Sequence, residues 1–334
     1  MSSTLRKKIG SSQQLGGIRK IVLDDGSERG VRAIEVDNGR GLFFRILIDR
    51  GMDIGDARFQ GKSLAWLSPC GFCHPAFFEH NAAEWLRNFG GGLLVTSGLR
   101  NVGAPCEFQG EKFGLHGRID NLPAEQVVCE EKWEGEERLF TIRGTVREVR
   151  VFGENLTLTR TLRCSTRENL IELSDRIENT GFRSTHAGIL YHINLGWPLL
   201  DASAKLFPTD HPVTPRDECA AAGLAEWAQC HEPLPEYQEQ CFYHDLPANS
   251  DGMAEMNLEN PESKLRFTVS WRKKELPFFT QWKQFGEGEY VLGMEPGTSH
   301  VEGSRAEDEK FHTLKTLAEG ESFETLLRLK ITDA

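Results

Sequence analysis

Three short strings set an ionisable side chain among glycines, aliphatics and aromatics. Phe113-Gly114-Leu115-His116-Gly117-Arg118 holds a histidine between glycine-flanked apolar neighbours. Leu190-Tyr191-His192-Ile193-Asn194-Leu195-Gly196-Trp197-Pro198 places a second in a strand-like apolar run. Val291-Leu292-Gly293-Met294-Glu295-Pro296-Gly297 puts a carboxylate at a strand end, just before a proline turn. Any one of these alone is more often a packed core or turn residue than a reactive group. Together, a carboxylate and two imidazoles on one β framework form a complete set for general acid/base chemistry. Such groups suit moving protons on hydroxyls and ring oxygens, which requires neither a nucleophile nor a metal. Desolvation at an apolar strand end would push a glutamate's pKa up, toward the range of a general base.

Two further motifs carry weaker chemistry. Cys70-Gly71-Phe72-Cys73-His74 matches the C-x-x-C-H haem-attachment pattern, but no export signal accompanies it. A zinc set of Cys70, Cys73, His74 and His80 would need tetrahedral geometry, and its spacing fits no common finger. The expected role is a loop with two ordinary thiols and no metal. Gly90-Gly91-Gly92 lacks a following Gly-Lys-Ser/Thr and is no P-loop. A bulge or close backbone approach at the mouth of a site is expected instead.

The elements that must position these groups are mostly strands. Alternation of period two runs through Arg32 to Asp37 and Leu42 to Ile48. From Gln126 to Asn179 five strand-like runs follow one another: 127–129, 139–144, 146–152, 156–163 and 170–177. Spacing of about ten residues between strands marks an all-β sandwich or barrel. Lys264 to Arg272, Tyr290 to Met294 and Phe323 to Ile331 read as later strands. Short helices are expected within His74 to Asn88 and Arg216 to Ala228. No βαβ alternation is present, which excludes a Rossmann or TIM arrangement. Asp201 to Leu246 is rich in Pro, Glu and Cys and reads as a long irregular excursion. No linker divides the chain, so residues 1–334 are expected to form one β domain.

Composition narrows the function classes. The 334 residues carry 39 Lys+Arg against 50 Asp+Glu, a net charge of −11. Nucleic acid and anionic membrane reward clustered cations, so neither is an expected partner. No apolar run reaches the length of a membrane span. Met1 to Lys8 is polar and basic with no apolar segment after it, so no secretory signal is read. The eight cysteines are too sparse for a disulfide scaffold. A cytoplasmic protein with reduced thiols is expected.

At its chemical strings the sequence resembles the galactose mutarotase-like superfamily, the aldose 1-epimerases. It is most similar to the divergent branch of unknown function called DUF4432. The resemblance rests on Ile48-Asp49-Arg50-Gly51-Met52-Asp53-Ile54, Gly114-Leu115-His116-Gly117, Tyr191-His192-Ile193-Asn194 and Met294-Glu295-Pro296-Gly297-Thr298. Their order, Arg, His, His, Glu, is the mutarotase order, and they span most of the chain. The resemblance implies a β-supersandwich and a cofactor-independent isomerase. By it, Glu295 takes the proton from the anomeric hydroxyl, His116, protonated, donates to the ring oxygen, and His192 holds the same region. Arg50 would bind sugar hydroxyls, and Asp245 or His244, in Phe242-Tyr243-His244-Asp245, would match the family's sugar-binding aspartate. Arg100 or Lys283 would orient the sugar, and Trp282 or Trp197 would offer an apolar face, against plain core packing. The Asn-Arg pair of true galactose mutarotases is replaced here by Asp49-Arg50-Gly51-Met52-Asp53, which alters the sugar-reading set. The expected ligand is therefore a small-molecule sugar or sugar derivative. The leading activity is exchange of its anomers. The alternatives are an isomerase of an oxidised, acidic or phosphorylated sugar, favoured by spare arginines (Arg50, Arg100, Arg118), and a non-catalytic carbohydrate-binding protein on the same fold.

Overall fold

The computed structural model describes residues 7–334, so most of the Met1 to Lys8 stretch lies outside the described residues. Strands take 49% of the residues and helical turns 10%, which makes the fold all-β as expected. Two large antiparallel sheets face each other. The first has eleven strands. Its main path runs Gly17–Val22, Arg32–Asp37, Leu42–Leu47, Asp53–Phe59, Leu94–Leu99, Gly188–Leu195, Glu289–Gly297, Phe278–Gly286, Gln240–His244 and Val213–Pro215. The second has eight, in the order Lys205–Phe207, Met253–Asn260, Leu265–Arg272, Ser322–Asp333, Leu170–Asn179, Asn155–Ser165, Glu137–Val149 and Ala124–Glu134. This is the galactose mutarotase-like β-sandwich.

Alternation explains the inner faces. Phe140, Ile142 and Val146, then Leu156, Leu158 and Leu162, then Ile171, Leu173 and Ile177 all point inward and are buried. Thr141, Thr159 and Glu172, on the other face, are only half-buried. The core cluster unites these rows with Ile189, Tyr191, Ile193 and Met294 of the first sheet.

Arg160 and Asp175 are charged residues at inward positions. Register sets Arg160 across from Asp175. Arg160 reaches Asp175 Oδ2 at 2.7 Å and Asp53 Oδ1, on the opposite sheet, at 3.0 Å. Tyr191 donates to Asp175 Oδ2 at 2.7 Å, and Thr96 donates to Asp53 through its backbone N–H and its hydroxyl. A paired and hydrogen-bonded charge can be buried at tolerable cost.

The structure departs from the sequence reading at three places. The runs 139–144 and 146–152 are one strand, Glu137–Val149. Gly144, which looked like a break, is an inward position facing Met52, where a Cβ would stand 2.4 Å from the Met52 sulfur. The expected helix in 74–88 is two 3₁₀ turns, Pro75–Phe77 and Glu84–Arg87, separated by Ala82 in the left-handed region at φ 47°. Residues 201–246 are less irregular than read. They add short edge strands to both sheets and the helix Glu218–Ala222, capped by Asp217. Among the described residues no helix is long and apolar enough to cross a membrane.

Removing Asp175 would leave Arg160 with Asp53 alone, and breaking a buried charge pair costs up to about 3–5 kcal/mol. Asp175→Ala should therefore lower unfolding free energy by about that amount in urea titration at neutral pH, and a loss under about 1 kcal/mol would mean the seam does not depend on Arg160.

Candidate active site

The outer face of the first sheet carries the site. The ladder that pairs Ile193 with Met294 and Leu190 with Gly297 sets His192 across from Glu295. Since Ile193 and Met294 face the core, His192 and Glu295 face out, beneath covering loops. Both are buried, and His192 Nε2 lies 3.4 Å from Glu295 Oε1. The contact lacks hydrogen-bond geometry, and neither Glu295 Oε1 nor His192 Nδ1 has a hydrogen-bond partner among the described residues. Gly293 leaves room for the carboxylate, because a Cβ there would stand 2.3 Å from Glu295 Oε1.

His116 reaches the same place from a loop. Its backbone sits in the left-handed region at φ 56°, pinned by N–H donation to Gly103 O at 2.7 Å and by Gly98 N–H donating to its carbonyl at 3.0 Å. The ring lies over Trp85, with centroids 4.7 Å apart, and presents an edge contact to His192 at 5.4 Å. Nδ1 is 2.9 Å from the Ser97 hydroxyl, which also reaches the His116 carbonyl at 3.3 Å. That hydroxyl can donate to Nδ1, or accept from it while donating to the carbonyl. Nδ1 is thus satisfied in either protonation state, and Nε2 is free for chemistry.

Burial governs the proton affinities. It holds His192 at about 4 and His116 well below 6.5, with His192 adding to the depression of His116. It pushes Glu295 well above 4.5, an effect that Glu239 reinforces and Arg216 opposes. At neutral pH both imidazoles are neutral, and Glu295 binds protons far more readily than an exposed carboxylate.

The three groups line a cleft of about 550 Å³ walled by Trp66, Trp85, Phe89 and Trp282. Volumes of ~300–1,000 Å³ are usual for small-molecule sites. One end is polar. Trp282 Nε1 donates to Glu239 Oε2 at 2.8 Å, and Arg216 Nη2 donates to Glu239 Oε1 at 2.8 Å. Arg216 also holds Asp217 at 2.8 Å and approaches the Cys241 sulfur at 3.0 Å. The glycine triplet packs against the segment bearing Trp66. A Cβ on Gly91 would meet Trp66 O at 2.5 Å, so the close approach expected there is present.

Of the residues singled out in the sequence, His116, His192, Glu295 and Trp282 converge on this cleft. Cys70 of the C-x-x-C-H string also lines it, and the others do not. Arg50 is buried behind the wall, donating to Cys73 O at 2.9 Å and Asn88 O at 2.8 Å. It also pairs with Asp120, the acceptor of Trp85 Nε1, at 3.5 Å. Arg100 is tied to Glu154 and Glu111. Asp245 is exposed and pairs with Lys273. His244 faces the interior, bonded to His211 at 2.8 Å and Gln281 at 3.1 Å. Lys283 Nζ is spent on the carbonyls of Gln229 and Glu226, and Trp197 is exposed. His74 Nδ1 caps a 3₁₀ turn, and Cys73 contacts Ser27 and Cys70 O. Among the described residues no group of three or more His, Cys, Asp or Glu is placed to hold a metal. Sequence reasoning passed over Arg216, Glu239, Ser97, Trp66 and Trp85.

Imidazole titration tests this electrostatic reading directly. In long-range ¹H–¹⁵N spectra of the unliganded protein, His116 and His192 should both remain neutral at pH 6, with His192 titrating at about 4. A midpoint at or above the ordinary histidine value for either ring would contradict it.

A family model, the domain of unknown function DUF4432, matches residues 28–331. Several solved structures share the fold. A candidate aldose 1-epimerase of Klebsiella pneumoniae superposes with a TM-score of 0.89 at 26% identity, covering 96% of this chain and 86% of that one. A galactose mutarotase-like protein of Clostridium acetobutylicum gives 0.67 at 12% identity, over 96% and 100%. The galactose 1-epimerase of Lactobacillus acidophilus gives 0.59 at 15% identity, over 96% and 99%. At those last two identities the likeness is one of fold alone. No curated protein matches the sequence. With the model spanning nearly its whole length and the same β-sandwich beneath it, the chain belongs to the DUF4432 family.

Proposed function

We propose that the protein is a cofactor-independent isomerase that interconverts the anomers of a sugar. The observation that carries this reading is the meeting of His116, His192 and Glu295 in one aromatic-walled cleft, with a buried carboxylate that no described residue hydrogen-bonds at Oε1. Glu295 takes the proton from the anomeric hydroxyl. His116 Nε2 delivers a proton to the ring oxygen as the C1–O5 bond opens. The open-chain aldehyde turns about C1–C2, and the ring closes on the other face as each group reverses its role. One proton leaves O1 and one arrives at O5, so the enzyme's total is unchanged. His192, beside both groups, holds the region in register. Arg216 and Glu239 stand at the Glu295 end, where they would read the neighbouring hydroxyl.

The raised carboxylate and lowered imidazole change how the protons are shared. With one proton between Glu295 and His116, burial favours the neutral pair. The reactive arrangement places that proton on His116 and leaves Glu295 ionised. It holds the same number of protons and is the less populated of the two. The kcat/KM profile should therefore be bell-shaped, with limbs that belong to the pair. The acid limb falls below 6.5, where a second proton is taken up, and the basic limb well above 4.5, where the last proton leaves.

Glu295→Gln removes the acceptor and His116→Asn the donor, and each should cost about 10²–10⁴ in kcat with little change in KM. Anomer exchange measured by NMR saturation transfer, corrected for the spontaneous rate, reads this out. Near wild-type turnover in Glu295→Gln on every sugar the parent converts would sink the reading.

A further inference from the structure

The Ser97 hydroxyl touches one residue twice. Its Oγ lies 2.9 Å from His116 Nδ1 and 3.3 Å from the His116 carbonyl oxygen. Ser97 is 1% exposed, so its partners must come from the protein. It stands on the strand Leu94–Leu99, opposite Leu190. Its neighbour Gly98 donates N–H to the same carbonyl at 3.0 Å. Strand and loop therefore hold hydroxyl and imidazole in one fixed relation.

A hydroxyl has one hydrogen, and the two contacts compete for it. If that hydrogen points to Nδ1, the carbonyl contact is two oxygens facing each other with no hydrogen between them. Oγ then accepts from no described residue. If Nδ1–H donates to Oγ, the hydroxyl hydrogen is free for the carbonyl, and both contacts become hydrogen bonds. The carbonyl has a lone pair for it beside the one taken by Gly98 N–H. Buried polar groups settle where each donor and acceptor is used, because an unmet one costs free energy. Only the second arrangement meets that condition. It puts the proton of the neutral ring on Nδ1 and leaves a lone pair on Nε2, which no described residue hydrogen-bonds.

We propose that Ser97 is a positioning residue that fixes neutral His116 as its Nδ1–H tautomer, so that Nε2 meets the cleft as a proton acceptor. The tautomer follows from the contacts alone, and its use in turnover rests on the anomer-exchange reading. In that reaction, once the C1–O5 bond has broken, Glu295 holds the proton from O1 and O5 holds the proton from His116. Ring closure forms the O5–C1 bond, returns the Glu295 proton to O1 and passes the O5 proton to Nε2. A ring protonated on Nε2 could not take it without first shifting its own proton. The charged ring keeps the same arrangement, with Nδ1–H still on Oγ and the added proton on Nε2. The hydroxyl therefore need not turn at any stage.

Long-range ¹H–¹⁵N spectra of the unliganded protein at neutral pH read the tautomer, with the His116 signals assigned by their loss in His116→Asn. The wild type should show a protonated Nδ1 and a bare Nε2. In Ser97→Ala the proton should move largely to Nε2, where half-buried His116 still reaches water. Anomer exchange in that variant should fall about 10–100-fold in kcat with little change in KM, the range for losing a hydrogen bond to a charged group. Ser97→Thr keeps the hydroxyl and should restore both the tautomer and the turnover. The wild-type spectrum needs no substitution, so it tests the tautomer whether or not a variant folds. A protonated Nε2 in the wild type, or an unmoved proton in Ser97→Ala, overturns the assignment and leaves the anomer-exchange reading intact. A proton that moves in Ser97→Ala with kcat unchanged overturns the positioning role. The stated tautomer in a wild type that exchanges no sugar overturns the anomer-exchange reading while the assignment stands.

Discussion

Arg160 crosses the seam between the two sheets, and the geometry of the cleft follows from it. Its guanidinium bonds Asp175 on its own sheet and Asp53 on the other. Tyr191 closes the network from the first sheet and Thr96 holds Asp53 by two hydrogen bonds. In a strand, successive side chains take opposite faces, so fixing one residue inward fixes its neighbour outward. Tyr191 inward puts His192 outward. Thr96 inward puts Ser97 outward, where it holds the His116 ring. A purely apolar seam could slide with little penalty, whereas directional bonds to a buried charge permit one register. The chemistry on the outer face is therefore indexed by a polar network on the inner one.

The same sandwich treats buried polar groups in two ways. In the seam each charge is paired and hydrogen-bonded. In the cleft, Glu295 Oε1 and His192 Nδ1 are buried without hydrogen-bond partners, although they sit on strands as regular as any in the fold. Each such atom costs free energy, and others lie elsewhere in the fold, at Asp120 Oδ1, Asn121 Oδ1 and Glu307 Oε1; those in the cleft stand beside His116, where a ligand would meet them. Arg50 shows the supporting side of this contrast. Its guanidinium holds two loop carbonyls and Asp120, which in turn fixes Trp85 beneath His116. The arginine expected to touch sugar instead positions the wall on which the imidazole rests.

Most of the fold could be read from period two, because half-buried strands alternate visibly. Arg32–Asp37 matches the reading residue for residue. The error at 139–152 arose because an inward glycine looks like a turn, and only the Met52 contact across the seam reveals its packing role. The site was legible in part for a similar reason. His116, His192 and Glu295 stand out as lone ionisable groups in apolar strings. Asp245 and His244 were chosen by type, yet face depends on parity. Cys241 turns to the cleft, so His244, three positions on, turns to the core. Arg216 and Glu239 could not be read because they sit among other charges in an irregular stretch, where no period marks a face. Trp66 and Trp85 are aromatic residues whose neighbours come from distant segments.

The cleft's walls also decide how its protons rest. An apolar enclosure raises Glu295 and lowers His116 by one physical cause, the cost of holding charge away from water. Burial therefore favours the neutral arrangement of the two groups over a buried ion pair. Under the proposed anomer exchange, a sugar would change this balance by bringing an O1 hydroxyl donor to Glu295 and the O5 ring-oxygen acceptor to His116 at once. Such contacts would favour ionised carboxylate and protonated imidazole, and they would form only with a correctly seated ligand. Glu239 and Arg216 refine the balance from the polar end. Glu239 raises Glu295 and Arg216 opposes it, so their pairing keeps a strong net field from locking the proton on either side. On that reading the apolar environment that disfavours the charge-separated arrangement would also make each polar contact with a ligand electrostatically stronger once formed.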